Sequence, residues 1–393
     1  MTPRPGHAAA ILILSGLAVW AFWLHGQEGG RALSFSLLAG IAFGIVLQRG
    51  RFCFLCNFRD LVEKRHAAGV ISILAALAFG VIFYQIVIAA WVPVPQPERL
   101  PPGAHIGPVG PVLAIAAAVF GLGMAFSGSC LSGHFYRLGE GAFGSLMAIA
   151  GAAIGFFLGF LSWNRLFTLT LFDDPPVWLP HRLGYTGSLL LSLGVLAVLA
   201  VIALWVSRAQ PGEPATEETP GRTPLAAALD AVFRKRWPPV LTGALVAAIS
   251  AFAYFRVAPL GVTAELGSLV RTGGTALGLV PETLAELDTV RGCVSAVKTA
   301  ILSPNGLFVT GLILASFASA LSAGQFRPVW PSASGLAARL AGGVLMGWGG
   351  MTALGCTVGV LSGWVFLVFC SLGTFAGLWL VRLVAAWHGP QTS

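Results

Sequence analysis

The sequence predicts an all-α, polytopic integral membrane protein with about nine to eleven spans, in two pseudo-symmetric halves interrupted by broken or re-entrant half-helices. Three observations predict it. The chain of 393 residues is 56% hydrophobic and 10% charged, with a mean hydropathy of +0.83, which leaves too little polar surface to cover a soluble globule. Many runs approach or exceed the roughly 20 apolar residues that cross a bilayer as a helix. Finally, one pattern of glycines around a cysteine occurs twice without gaps. Gly121, Gly123, Cys130 and Gly133 match Gly347, Gly349, Cys356 and Gly359, each cysteine nine residues after the first glycine (130 − 121 and 356 − 347).

In chain order, the first apolar run is 8–25, read as a retained helix because no convincing small-residue cleavage site follows it. Segment 32–48 is shorter and runs into Arg49-Gly-Arg-Phe-Cys-Phe-Leu-Cys56. The runs 66–94, 110–127, 139–162 and 184–206 complete a first membrane half, 1–206. The stretch 207–238, rich in Pro, Gly, Glu and Thr, cannot bury enough apolar surface to fold alone and reads as a flexible cytoplasmic connector. Within it, 225–233 fits a short interfacial amphipathic helix beside the lipid head groups. The second half, 239–393, holds the runs 239–257, 305–324, 336–354 and 360–386. Between them, 258–300 has Gly273-Gly274 and scattered charges, among them Glu265 and Lys298, and predicts short helices and re-entrant pieces. Charges embedded in apolar sequence mark a functional site or an ion pair between helices.

The formal charge of +8 sits mainly in loops, so membrane topology explains it and nucleic acid is excluded as a partner. Arg49, Arg51, Arg59, Lys64 and Arg65 place loop 49–65 in the cytoplasm, as the basic residues of 207–238 do for the connector. Four spans separate the two loops, an even number, and counting back puts the N-terminus inside. No glycine loop followed by lysine is present for coupling to ATP hydrolysis.

Of the six cysteines, Cys53, Cys130, Cys293 and Cys356 stand at segment boundaries beside glycine or arginine. Cys370, inside Val365-Phe-Leu-Val-Phe-Cys-Ser-Leu, reads as core. Cys53 and Cys56 have Cys-x-x-Cys spacing, but no second close pair completes a zinc site and no haem-attachment motif appears, so neither metal nor cofactor is expected. Gly128 and Gly133 bracket Cys130, Gly355 and Gly359 bracket Cys356, and Gly292 precedes Cys293. Helix breaks at membrane depth are tolerated only where protein or a polar cavity satisfies the backbone. Helix N-termini at such breaks supply the positive partial charge an anion needs. A thiol is a weak donor that contacts a sulfur anion without holding it as firmly as arginine, and permeation requires a site weak enough to leave. Arg51, Arg137 and Arg291, close to Cys53, Cys130 and Cys293, are candidate charges where an anion approaches; the plainer reading of each is an interfacial anchor. His134, four residues after Cys130, shares its face if the backbone between is helical, and otherwise reads as an interfacial histidine. The rival chemistry is thiol–disulfide exchange, a membrane redox or persulfide relay using Cys53, Cys56 and the other thiols.

The Arg51-Phe-Cys-Phe motif after a short helix, Gly-x-Gly-x6-Cys-x2-Gly in the first half and its copy around Gly355-Cys356 resemble the YeeE/YedE sulfur-transport family. The resemblance spans nearly the whole chain apart from the connector and the N-terminal helix. It implies a non-enzymatic inner-membrane protein of bacteria, with half-helices meeting at a central constriction. It further implies uptake of thiosulfate or a closely related sulfur anion passed from cysteine to cysteine. By motif, Cys130 and Cys356 become paired central thiols, with Cys293 as the other central thiol of the second half and Cys53 outermost. Such proteins often work with a small cytosolic sulfur-carrier protein bearing a reactive cysteine.

Overall fold

A computed structural model describes residues 5–96, 108–174, 177–207, 235–288, 296–298, 300, 302–354 and 364–387. Described residues of the first half form α1 (Pro5–His25), α2 (Gly30–Gly50), α3 (Phe54–Lys64), α4 (Ala68–Trp91), α5 (Pro111–Ser127), α6 (Leu131–Gly139), α7 (Gly144–Leu166) and α8 (Leu179–Val206). A π-helical turn, Phe167–Leu171, extends α7. Those of the second half form α9 (Pro239–Arg256), α10 (Val262–Ala276), α11 (Pro304–Ala323), α12 (Ala333–Thr352) and α13 (Trp364–Trp387). Among the described residues, nine helical segments are long and apolar enough to cross a bilayer, which makes this a multi-pass, all-α membrane protein. Glycine-rich α12 adds a further helix of 20 residues.

Several boundaries move for local reasons. Segment 32–48 becomes the 21-residue α2, which stops where Arg51 adopts a left-handed conformation (φ 50°) and its N–H returns to the Leu47 carbonyl. Run 139–162 begins later, as α7, because Gly139 ends the short α6 and Gly141 turns the chain at φ 92°. Within 258–300, α10 has only 15 residues, too few to span, so the irregular reading of this stretch resolves into a short helix. The amphipathic helix expected at 225–233 lies outside the described residues.

The longest helices associate across the boundary between the halves. The most extensive packing pairs α7 with α12, α5 with α13, α2 with α11, and α4 with α9; α5 also packs along α12. Glycines permit the contacts. A Cβ on Gly123 would lie 2.6 Å from the Gly342 carbonyl oxygen and 2.5 Å from Met346 N. Gly349 makes the corresponding approach to the Ala116 carbonyl oxygen (2.5 Å) and Phe120 N (2.7 Å). These partners share one offset in numbering: 349 − 123, 342 − 116 and 346 − 120 are all 226. Gly155 likewise meets the Val344 carbonyl oxygen and Gly373 that of Ala118. Such distances bring helix backbones together through dispersion contacts that any side chain would obstruct.

Outward faces are apolar, as lipid requires. Leu190, Val201 and Trp205 of α8 and Phe22 of α1 are exposed. The buried interior is built from Phe120, Phe156, Phe160, Met124, Met346 and Met351, together with Cys53, Cys130 and Cys370.

Candidate functional site

Two short helices begin at cysteines. Cys53 is the residue before α3 and Cys130 the residue before α6, both with extended backbone, and their carbonyls accept from Asn57 N and His134 N at 3.0 Å. Neither thiol caps its helix. The break before Cys130 needs Gly128, which ends α5 at φ 84° with its N–H on the Met124 carbonyl at 2.9 Å. A non-glycine residue there is strained whatever the surrounding space.

The two helix starts meet. Cys53 and Cys130 are buried, Cys53 Sγ lies 3.3 Å from Ser129 Oγ, and the two thiols are within hydrogen-bonding reach of each other. The Cys130 amide faces Cys53 Sγ, while the Phe54 amide faces Cys130 Sγ. Each helix start therefore directs an N–H group at a thiol, and α3 and α6 both lend their positive ends to one spot. Gly133 makes the junction possible: a Cβ there would sit 2.2 Å from Ser129 Oγ, 3.1 Å from Cys53 Sγ and 3.2 Å from Cys130 Sγ. Cys53, which the resemblance sets outermost, is thus fully buried and shares its surroundings with Cys130. Cys56 lies beside it, within reach of Cys53. All three carry free thiols.

Arg137, on α6, donates from Nη1 to the Gly128 carbonyl at 3.1 Å, bridging the helix break. Arg51 is exposed at the end of α2. Cys370 is buried in α13, where its carbonyl accepts from Thr374 Oγ1 at 2.8 Å and abuts Gly121. Glu265 and Lys298 prove to be partners, hydrogen-bonded to each other with Ser303 Oγ donating to Glu265 at 3.2 Å. Cys293, Cys356, Gly292, Gly355, Gly359 and Arg291 lie outside the described residues.

Beyond the thiols stands a buried polar cluster that sequence reading missed. Gln48 donates to Glu140 at 3.1 Å and to Gln325 at 2.8 Å, and accepts from Arg49 Nε at 2.6 Å and Ser319 Oγ at 2.8 Å. Arg49 Nη2 also donates to Gln325 at 2.9 Å. Every polar atom of Gln48 is engaged, which fixes α2, α6 and α11 together at one end of the bundle. Burial raises the Glu140 carboxyl above its ordinary range, against the opposing pull of the Gln48 bond and of Arg137, Arg51 and Arg49. The signal for Ser129 was in the sequence, beside Cys130 in the repeated motif; for Gln48 and Glu140 it was only their polarity at the ends of apolar runs.

Two thiols set between converging helix starts, inside a doubled glycine framework, invite comparison with known families. A family model for sulphur transport, Sulf_transp, matches residues 49–376. The chain belongs to the sulphur-transport family. That match includes Cys53, Cys130, Cys356 and both glycine frameworks. Among curated proteins, the chain is 28% identical over 373 residues to "Thiosulfate transporter TsuA" of Escherichia coli K12, covering 88% of this chain and 93% of that protein. It is also 28% identical over 364 residues to "Thiosulfate transporter TsuA" of Spirochaeta thermophila, covering 88% and 98%. "Probable transporter YedE" of Escherichia coli K12 is 26% identical over 217 residues, covering 53% of this chain and 50% of that protein.

Proposed function

We propose that this member of the sulphur-transport family is a bacterial inner-membrane permease that takes up thiosulfate or a closely related sulfur-containing anion. The observation that carries the reading is the pair of buried thiols, Cys53 and Cys130, at two helix starts whose amides point at sulfur. Fixed N–H dipoles attract an anion at low dielectric. Thiols supply donors weak enough to release it, so the anion exchanges one S–H contact for the next. In this reading Cys356 and Cys293 continue the route in the second half, next in sequence to Gly355, Gly359 and Gly292. Arg137, Arg51 and Arg291 draw the anion toward the thiols. Relatives along most of the chain that are named thiosulfate transporters support the substrate class.

The doubled glycine framework and the offset of 226 shared by the Gly123 and Gly349 contacts support two halves, 1–206 and 239–393, related by a pseudo-two-fold axis and joined by the connector 207–238. With the basic loops inside, the Cys53–Cys130 end faces the cytoplasm, where a small sulfur-carrier protein receives the anion.

The grouping of Cys53, Cys56 and Cys130 favours one second reading, a thiol-redox relay in which a pair closes to a disulfide and passes two electrons and two protons to a quinone. Uptake of radiolabelled thiosulfate into proteoliposomes separates the two. Wild type should accumulate label without added redox partner, and Cys130→Ser and Cys356→Ser should each lose most of it. Folded wild type that takes up none, while a cysteine pair changes redox state by mass spectrometry, would replace the permease with the relay.

A further inference from the structure

His134 occupies the first turn and a half of α6, and the residue before it, Gly133, touches both thiols. Its side chain is buried at 1% exposure. Nδ1 lies 3.3 Å from Ser145 Oγ on α7, and Nε2 is buried with no hydrogen-bond partner among the described residues. The serine decides the tautomer. Ser145 is buried too, and its hydroxyl proton finds an acceptor in this imidazole, so we assign the hydroxyl as donor to Nδ1 and the ring proton to Nε2. A buried N–H is thus held in a fixed direction with no acceptor among the described residues, a group whose partner in native proteins is a ligand, an ion or water.

The surroundings select the sign of that ligand. The charged groups that bear on the imidazole are Arg137 of its own helix, Arg339 of α12 and the Cys53 thiol from the start of α3. The two fixed cations favour an anion. A neutral donor also suits passage, because a charge-assisted bond is about twice as strong as a neutral one and slows release.

We propose that His134 is an anion-binding residue of the route, donating Nε2–H to an oxygen of the sulfur oxyanion while Cys53 and Cys130 contact its sulfur. Ser145 is the positioning residue that fixes the tautomer. The inference rests on the transport reading above and names the oxygen donor that a purely thiol-lined route lacks.

The test uses the full chain in proteoliposomes and in nanodiscs with nitrogen-15 histidine. His134→Leu should raise the thiosulfate KM about tenfold or more while its melting temperature without thiosulfate stays near wild type; His134→Gln, which keeps an N–H near Nε2, should stay within about threefold. In the nitrogen spectrum, wild-type His134 should be the Nε2–H tautomer, shift on adding thiosulfate, and lose its tautomer preference in Ser145→Ala. A wild-type KM in His134→Leu, or His134→Gln as impaired as His134→Leu, would overturn the proposal, as would an Nδ1–H tautomer. Wild type that fails to take up thiosulfate while its Nε2–H still shifts with sulfite or sulfate would overturn the substrate and keep the role of His134. An Nε2–H that none of the three anions moves would overturn the role itself.

Discussion

At Gly133 the absence of one carbon decides whether two thiols can meet. A methyl group there would press on Ser129 Oγ and on both sulfurs, so Gly133→Ala must push at least one thiol aside. The serine can rotate away, and the helix conformation suits alanine, so the fold should survive. We expect uptake to fall by about tenfold or more with a melting temperature within a few degrees of wild type. Uptake at wild-type level would show that the thiol spacing is not critical. How such a position reads in sequence depends on what constrains it. A close backbone approach leaves glycine as the workable residue, which is why the frame around Cys130 was legible. The partnership of Cys53 with Ser129 and Cys130 was not, because it joins residues about 76 positions apart and no local pattern encodes a contact between two helix starts. The His134–Ser145 bond escaped for the same reason: it crosses from α6 to α7.

Among the elements, long helices were readable and short ones were not. Apolar length alone betrays α4, α7 or α11, since lipid demands it. The helices α3 and α6 have 11 and 9 residues and hold charged side chains, and they owe their helical form to the neighbours they rest on. Helix pairing depends on glycine in a way open to measurement. Gly123 and Gly349 serve one interface, α5 against α12, from opposite sides. Gly123→Ala and Gly349→Ala should each lower the melting temperature in detergent, since a Cβ would strike backbone that cannot yield. Once either methyl has wedged the helices apart, the second meets an interface already open. The double variant should therefore lose clearly less than the two single losses combined. Additive losses would mean that the two glycines act at independent places.

For the whole molecule, the cluster around Gln48 ties helices of both halves and contains a carboxyl held above its ordinary range, that of Glu140. Its carboxyl is raised by burial from an ordinary value of 4.5, so the folded protein holds that proton more firmly than the unfolded chain. The sign follows: this contribution is complete below 4.5 and is lost as pH rises through the elevated native value. Glu140→Gln keeps an acceptor for Gln48 and removes the titration. The variant should therefore gain on wild type in melting temperature as pH rises from about 4 to 8; a constant difference would mean that the carboxyl titrates alike in the folded and unfolded states.

The exchange of helices across the molecule also sets an order for its making. Helix α7 finds its main partner in α12, and 186 residues separate the end of one from the end of the other (352 − 166). At about 5–20 residues per second, the ribosome needs roughly 10–40 s to cover that distance. Throughout this interval the glycine face of α7 stands against lipid or a chaperone, and the newborn first half is a set of inserted helices awaiting its other strands, as in a braid that holds only when the last length has been laid across.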